Sequence, residues 1–287
     1  MCPDVSPEVA KLSPTQTKVG WGRLGRDGLR PRGGSMSFDV TADAYGRFMG
    51  RYSEPLAPRF ADLVGVTAGA RVLDVGCGAG ALTAELVARL GPDTVSAVDP
   101  SEPFVAAARD RLPGVDVRLS PAEHLPFPDD TFDAVLAQLV VHFMADPAAG
   151  LREMARVTRP GGTVAACVWD HAGGTGPLAA FWRAVASLDP SAPDESGLAG
   201  AREGHLAELF AEAGLRHITS TVLTVRVAFP DFGTWWDPFT LGVGPAGDYV
   251  SRLDEPGRAE LRARCASLLP PAPFEITASA WTALGRA

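Results

Sequence analysis

Three glycines and two acids carry the clearest chemical pattern in the sequence. Gly76, Gly78 and Gly80 lie in the run VLDVGCGAGALT, between an apolar stretch and a stretch with helical spacing. A glycine turn of this kind brings backbone N–H groups and the positive end of a helix close to a ligand. Asp74 lies in the first apolar stretch, and Asp99 ends the next one. An acid at the second position can accept hydrogen bonds from a ribose diol. The pattern therefore indicates a ligand with an adenosine part.

The glycine run does not identify that ligand by itself. GCGAGA also satisfies the GxGxxA pattern of dinucleotide-binding proteins, and NAD enzymes place an acid after the second strand as well. A common short-chain NAD(P)-dependent oxidoreductase would need a Tyr–Lys pair, yet the only lysines are Lys11 and Lys18, near the N-terminus. Two alternatives remain open at this point: an oxidoreductase, and a non-catalytic cofactor-binding domain.

Composition limits the class of protein. The chain has 287 residues and is 46% hydrophobic, which is enough for one large α/β domain or one domain with a cap. No apolar run reaches about 18 residues, so we expect no membrane span. The N-terminus lacks the apolar core of a signal peptide. Four cysteines without CxxC spacing predict neither a metal site nor disulfides, and favour a reduced, cytoplasmic setting.

Charge is distributed unevenly along the chain. The net charge is −8, although residues 1–35 carry six basic and only three acidic residues. The remainder is therefore strongly acidic and would repel a phosphate backbone, so we expect no nucleic-acid partner. Residues 1–35 are rich in Pro, Gly, Ser and Arg without periodicity, and we expect a disordered tail there. The oligomeric state stays open between monomer and homodimer.

The elements that must position these residues alternate along the chain. Short apolar runs predict strands at 71–75, 94–99, 115–120, 132–141 and 163–169. Helical spacing predicts helices at 81–90, 102–112 and 147–158. This alternation predicts an α/β, Rossmann-like doubly wound sheet with mostly parallel strands. Further along, we expect a helix at 204–215, β-rich runs at 217–229 and 274–287, and two helices in an aromatic-rich insertion at 230–270.

Four motifs agree in order and spacing with one family. They are VLDVGCGAG, the acid Asp99, the pair Ala122–Glu123 in SPAEHLPFPDDTFDAV, and RVTRPGG before the fifth strand. Over roughly residues 38–170 the chain resembles the class I S-adenosylmethionine-dependent methyltransferases, in the small-molecule "type 11" branch that includes quinone-biosynthesis enzymes. The resemblance implies a methyltransferase domain over 36–287, with N-terminal cap helices at 36–66. It also implies seven strands with an antiparallel last strand, and a reaction that leaves S-adenosylhomocysteine.

The resemblance also implies which residues hold the cofactor. The glycine run would contact the methionine part, Asp99 the ribose hydroxyls, and the pair Ala122–Glu123 the adenine. The helix in YGRFMGRY would close over the cofactor. The implied cofactor-binding residues are Asp74, Gly76, Cys77, Gly78, Gly80, Asp99, Pro100, Ser101, Ala122, Glu123, Gln138, Leu139, Tyr45, Met49 and Arg51.

Candidates for the acceptor side follow the fourth and fifth strands. His142 lies in LVVHFMADP and His171 in VWDHAGG, and ligands of open α/β sheets bind beyond the carboxyl ends of strands. Either could be a general base, which is needed only when the acceptor arrives protonated. Predicted pocket walls are Trp169, Trp235, Trp236 and Phe239, although the last three would equally suit a small core. The family's DNA and amide-nitrogen methyltransferases usually carry a [DNS]PP[YFW] box after the fourth strand, where this chain reads QLVVHF. Amide and exocyclic-amine nitrogens are therefore disfavoured as acceptors, whereas O, C and other N acceptors stay open.

Overall fold

The computed structural model describes residues 42–287. The tail expected at 1–35 and the first part of the expected cap, residues 36–41, lie outside the described residues. The cap begins with a short helix, α1 (Ala42–Tyr45), followed by a π-helical turn (Gly46–Gly50) and helix α2 (Arg51–Val64).

Five strands and four helices follow the cap and largely alternate, as the sequence predicts, but no helix lies between the third and fourth strands. The strands are β1 (Val72–Val75), β2 (Val95–Asp99), β3 (Asp116–Leu119), β4 (Phe132–Gln138) and β5 (Thr158–Trp169). The helices are α3 (Ala81–Leu90), α4 (Glu102–Arg111), α5 (Pro147–Val157) and α6 (Ala179–Leu188). Helix α5 begins where the Asp146 carboxylate accepts a hydrogen bond from the Ala149 N–H at 2.9 Å, which caps its first turn. Helix α6 was not expected from the sequence.

The last third adds two long strands and a helical insertion. Its elements are α7 (His205–Glu212), β6 (Arg216–Phe229), α8 (Phe232–Trp236), α9 (Gly244–Arg252), α10 (Glu255–Leu268) and β7 (Phe274–Arg286). The insertion therefore holds three α-helices, joined by a 3₁₀ turn (Asp237–Leu241), where two helices were expected. The extra helix, α8, has only five residues, too few to show helical spacing in the sequence.

The seven strands form one mixed sheet in the order β3-β2-β1-β4-β5-β7-β6. Strands β1 to β5 run parallel, while β7 pairs antiparallel with both β5 and β6. The seven-stranded sheet with an antiparallel last strand that the resemblance implies is confirmed, with 217–229 supplying the sixth strand and 274–287 the seventh. The strand order reverses between β1 and β4, and a crevice at such a switch point is where open α/β sheets bind ligands.

Two apolar layers cover the faces of the sheet. Alternate residues of the strands enter different layers: Val72 packs with the cap and the insertion, whereas Leu73 packs with α5 and α7. Within the first layer, Phe181 of α6 stacks on Phe239 with ring centroids 4.6 Å apart. The cap and the insertion therefore share one core above the carboxyl ends of the strands. None of the helices in residues 42–287 combines the length and the apolar character needed to cross a bilayer.

Candidate functional site

The first two glycines of the turn after β1 have different surroundings. Both adopt positive φ, 71° at Gly76 and 53° at Gly78. A Cβ on Gly76 would lie 2.3 Å from a methyl carbon of Val140, in the loop after β4. A Cβ on Gly78 would meet no atom within 4 Å. Gly76 is thus required by the close packing of two loops, whereas Gly78 borders free space.

Asp99 is fixed at the base of this turn. Its Oδ2 accepts a hydrogen bond from the Gly78 N–H at 2.9 Å, and its Oδ1 accepts one from the Ser101 N–H at 2.8 Å. Burial raises the pKa of this carboxyl, although the two backbone N–H groups oppose the rise. Each carboxylate oxygen has a second lone pair. The carboxylate is therefore held in place and can still accept a hydrogen bond from a hydroxyl group.

Asp74 is the second buried acid of the site. Its side chain is 1% exposed, and its Oδ2 accepts a hydrogen bond from the Thr83 hydroxyl at 2.6 Å. Its Oδ1 is buried and has no hydrogen-bond partner among residues 42–287. Burial raises the pKa of Asp74 to about 7, and the negative charge of Asp99 adds to the rise. An unpartnered carboxylate oxygen in such a place is costly unless a cation or donor of a ligand meets it.

The residues expected beside the ribose and the adenine lie on two loops. Ala122 and Glu123 are expected at the adenine: Ala122 is buried in the layer under α5, and Glu123 Oε1 accepts a hydrogen bond from the Asp146 N–H at 3.1 Å. Pro100 and Ser101 are expected at the ribose, beside Asp99. Ser101, at the start of α4, has a buried hydroxyl with no hydrogen-bond partner among residues 42–287, and Pro100 is exposed. Contacts of these residues with a ribose or an adenine stay predictions.

The end of β4 connects the sheet to the cap. Gln138 donates a hydrogen bond from Nε2 to the Ser53 carbonyl of α2 at 3.1 Å, and its Oε1 is buried without a partner. Leu139 adopts φ 63°, a left-handed conformation that costs a non-glycine residue about 1–2 kcal/mol. Its N–H donates to the Cys167 carbonyl at 2.9 Å. Backbone strain of this kind is concentrated at ligand-binding sites.

The three residues predicted in the cap have different surroundings. The half-buried Tyr45 packs edge-on against Phe104 at 5.4 Å, and burial together with the charge of Asp99 raises its pKa to about 12. Met49 lines an internal cavity. Arg51 donates from Nη1 to the Thr234 carbonyl at 2.9 Å and lies over the ring of a phenylalanine in β6. Arg51 therefore joins the cap to the insertion, and its contact with a cofactor stays a prediction.

The cavity lies between the cap, the sheet and the insertion, and it measures about 40 Å³. This volume is enough for a few water molecules. Five parts of the chain form its wall: the cap, the loops after β4 and β5, the segment before α7, and the start of α9. The lining residues are Tyr45, Phe48, Met49, Leu139, His142, Phe143, Trp169, His171, Leu178, Glu195, Val243, Gly244, Pro245 and Ala246.

Both predicted histidines line this cavity, with ring centroids 5.8 Å apart. His142 lies in a 3₁₀ turn after β4 and is 7% exposed, and no described residue forms a hydrogen bond with its Nδ1. Burial, and to a lesser extent His171, holds its pKa well below the usual 6.5, so the ring is neutral near pH 7. His171 Nδ1 lies 4.0 Å from Glu195 Oε2. No sequence motif singles out Glu195, which lies in the irregular run SAPDESGLAG.

Only Trp169 among the predicted pocket walls lines the cavity. Trp235, Trp236 and Phe239 are 2–4% exposed and pack in the shared core, where Phe239 also meets the ring of Phe48 at 5.0 Å. Their surroundings match the alternative interpretation, a small core under the insertion.

Asp170, the residue after β5, serves the fold of its own loop. Its Oδ1 accepts hydrogen bonds from the Gly173 N–H at 2.7 Å and the Trp281 indole at 3.0 Å, while its Oδ2 accepts one from the Thr175 hydroxyl at 2.7 Å.

Comparison with known proteins agrees with this geometry. A family described as "Methyltransferase domain" matches residues 73–166. An uncharacterized methyltransferase of Mycobacterium tuberculosis is 43% identical over 136 residues, which cover 47% of this chain and 53% of that protein. The chain thus spans about half the length of the first curated relatives. The crystal structure of the YcgJ protein from Bacillus subtilis superposes with a TM-score of 0.51 at 20% identity, covering 82% of this chain and 97% of that one. This likeness shows the fold.

A longer match shows the family. Demethylmenaquinone methyltransferase of Paenarthrobacter aurescens is 32% identical over 176 residues, which cover 55% of this chain and 67% of that protein. The match is to an enzyme of the branch that the four motifs indicate, so the resemblance found in the sequence is confirmed. With its glycine turn and its buried acids at the switch point of a seven-stranded sheet, the chain belongs to the class I S-adenosylmethionine-dependent methyltransferases.

Proposed function

We propose that this chain transfers a methyl group from S-adenosylmethionine to a small-molecule acceptor, at O, C or N. The observation that carries the proposal is the unpartnered Asp74 Oδ1 beside the glycine turn, because a buried carboxylate oxygen without a donor suits a cationic ligand. The family and the quinone-biosynthesis relative support the reaction and a small acceptor.

The residues around the turn fit the cofactor. Asp74 would accept a hydrogen bond from its ammonium group, Asp99 would accept from its ribose hydroxyls, and the free space at Gly78 would let it approach the backbone. S-adenosylmethionine supplies an electrophilic methyl group, whose bond to sulfur breaks with the electron pair left on sulfur. The two acids lie close enough to raise the pKa of Asp74, so they form a negative cradle for a cationic ligand.

The cavity beside the two histidines is our candidate for the acceptor site. At about 40 Å³ it is too small for an organic acceptor, so binding requires the cap or the start of α9 to move. Its walls are mostly apolar, which favours a largely apolar acceptor and excludes water from the reaction. His142 and His171, the two predicted bases, are among its lining residues. Positioning and desolvation supply the rest of the catalysis.

The proposal keeps the cytoplasmic setting expected from the sequence. The three cysteines in the part of the chain that the structure describes, Cys77, Cys167 and Cys265, are buried free thiols, as a reducing compartment allows. No macromolecular partner is needed for the reaction.

Calorimetric titration tests the cofactor. We expect S-adenosylmethionine and S-adenosylhomocysteine to bind with micromolar dissociation constants and NAD to show no heat of binding. Binding of NAD without binding of the other two would overturn the proposal and restore the oxidoreductase alternative. Once binding is seen, phenols, enols and hydroquinones are the acceptors to screen for methyl transfer.

A further inference from the structure

We infer that Glu195 and His171 form a proton-accepting pair at the acceptor cavity, in which Glu195 positions the ring and His171 receives the proton of the acceptor. The inference rests on the proposed function, and it assigns a role to a residue outside the cofactor motifs. Both side chains are almost fully buried, 4% exposed at His171 and 5% at Glu195, and both line the cavity.

The carboxylate of Glu195 is anchored from helix α6. The Trp182 indole N–H donates a hydrogen bond to Glu195 Oε2 at 2.7 Å, and the same oxygen lies 4.0 Å from His171 Nδ1. A buried carboxylate that has one neutral donor gains from a charge-assisted partner. His171 is the group placed to become that partner. A distance of 4.0 Å is longer than a hydrogen bond, and catalytic contacts of this kind often tighten when ligands bind.

The two ring nitrogens of His171 have different surroundings. Nδ1 lies beside the carboxylate, whereas Nε2 is buried and has no hydrogen-bond partner in the part of the chain that the structure describes. A proton on Nδ1 would face Glu195 and leave the lone pair of Nε2 free for an acceptor, which is the arrangement of a base oriented by a third group. His142 forms no ion pair with a carboxylate among the described residues, and burial holds its pKa well below the usual value.

The Glu195–His171 pair favours one class of methyl acceptor. Methylation of a hydroxyl replaces its O–H bond with an O–C bond, so one proton leaves the oxygen for each methyl group gained. That proton would pass to His171 Nε2, and the resulting imidazolium charge would be balanced by the Glu195 carboxylate. An acceptor that arrives as a carboxylate or phosphate needs no base and would be repelled by Glu195. The geometry therefore favours a neutral acceptor with an acidic hydroxyl, such as a phenol or an enol.

The tautomer of His171 tests the pair without any acceptor or cofactor. The full-length protein is labelled with 15N in its five histidines, and long-range 1H–15N correlation at pH 8 shows which nitrogen carries the proton. Loss of one signal in His171→Gln assigns the residue. We expect the proton on Nδ1 in the wild type. In Glu195→Leu we expect the proton on Nε2, because the acceptor beside Nδ1 is gone. Glu195→Gln keeps an acceptor oxygen and should keep the wild-type tautomer.

A control variant and a separate binding measurement distinguish failure of the pair from failure of the proposed function. Glu203→Leu removes an exposed acid of the same segment and should leave the His171 signals unchanged. A wild-type proton on Nε2, or one tautomer shared by the wild type and Glu195→Leu, overturns the pair. If Glu195→Leu does not fold, the tautomer of the wild type decides alone. Failure of S-adenosylmethionine binding in the calorimeter would instead overturn the proposed function, because the tautomer is read without ligand.

Discussion

The unpartnered carboxylate of Asp74 should make the ligand-free protein less stable as the pH rises. Its pKa is about 7 in the folded chain, against 3.8 when unperturbed. Between these values the folded state holds a proton that the unfolded state has released. Since stability falls with pH wherever the folded state binds more protons, the free energy of unfolding should decline across this window and level off above pH 7.

The size of this decline follows from the two pKa values. A difference between 3.8 and about 7, at about 1.4 kcal/mol per pH unit, is worth about 4 kcal/mol. In Asp74→Asn the side-chain oxygen can still accept from the Thr83 hydroxyl, but the group cannot ionise. The stability of Asp74→Asn relative to the wild type should therefore rise by about 4 kcal/mol between ~pH 4 and ~pH 8.

Urea unfolding of both proteins over this range measures the difference, and groups that titrate alike in both cancel. The same variant should bind S-adenosylmethionine at least about tenfold more weakly, a loss of about 1.4 kcal/mol, because the ammonium group loses its carboxylate. A stability difference that does not change with pH would refute the assignment of a raised pKa to Asp74. Equal affinity in the two proteins would remove Asp74 from the cofactor site.

Four further substitutions separate packing from binding. Gly76→Ala should cost about 2–4 kcal/mol of stability in thermal or urea unfolding, because its Cβ would lie 2.3 Å from Val140 at a positive φ. Gly78→Ala shares the positive φ but meets no atom within 4 Å, so it should cost only about 1–2 kcal/mol while weakening S-adenosylmethionine binding; the reverse order of stabilities would contradict the packing argument. Asp99→Ala should weaken cofactor binding at least about tenfold in the calorimeter, and unchanged affinity would exclude it from the ribose site. Phe239→Ala should lose about 3–5 kcal/mol of stability and keep its cofactor affinity, because the ring is buried in the core and does not line the cavity; a stable variant would show that the ring is no part of the core.

The sheet was predictable because each of its units carries a local pattern. The run Val72–Val75 is short, apolar and followed by glycines, and Asp146 with Pro147 starts a helix by capping. The start of β5 was not predictable in this way. The sequence predicts this strand only from residue 163, after RVTRPGG, yet Thr158 pairs with Phe132, and the strand continues through a bulge to Thr163. Pairing across the sheet decides that boundary, and no local pattern encodes it.

The cofactor side of the site could be predicted further than the acceptor side. Gly78, Asp74 and Asp99 lie in motifs with fixed spacing, and all three meet at one turn. Glu195 lies in a run without periodicity, and only the folded chain brings it beside His171.

Aromatic residues posed a different difficulty. A cluster such as Trp235 and Trp236 has the same composition in a pocket wall and in a core, because both environments bury apolar rings. Only the packing of the insertion on the cap shows which environment these residues have.

A crystal structure of the protein with S-adenosylhomocysteine would show directly whether the cofactor product binds at the glycine turn. We expect the amino group of the ligand within hydrogen-bond distance of Asp74 Oδ1 and its ribose hydroxyls on the Asp99 carboxylate. We also expect its sulfur to be directed toward the cavity that His142 and His171 line. Electron density for the ligand away from the glycine turn, or a ribose that does not touch Asp99, would contradict it.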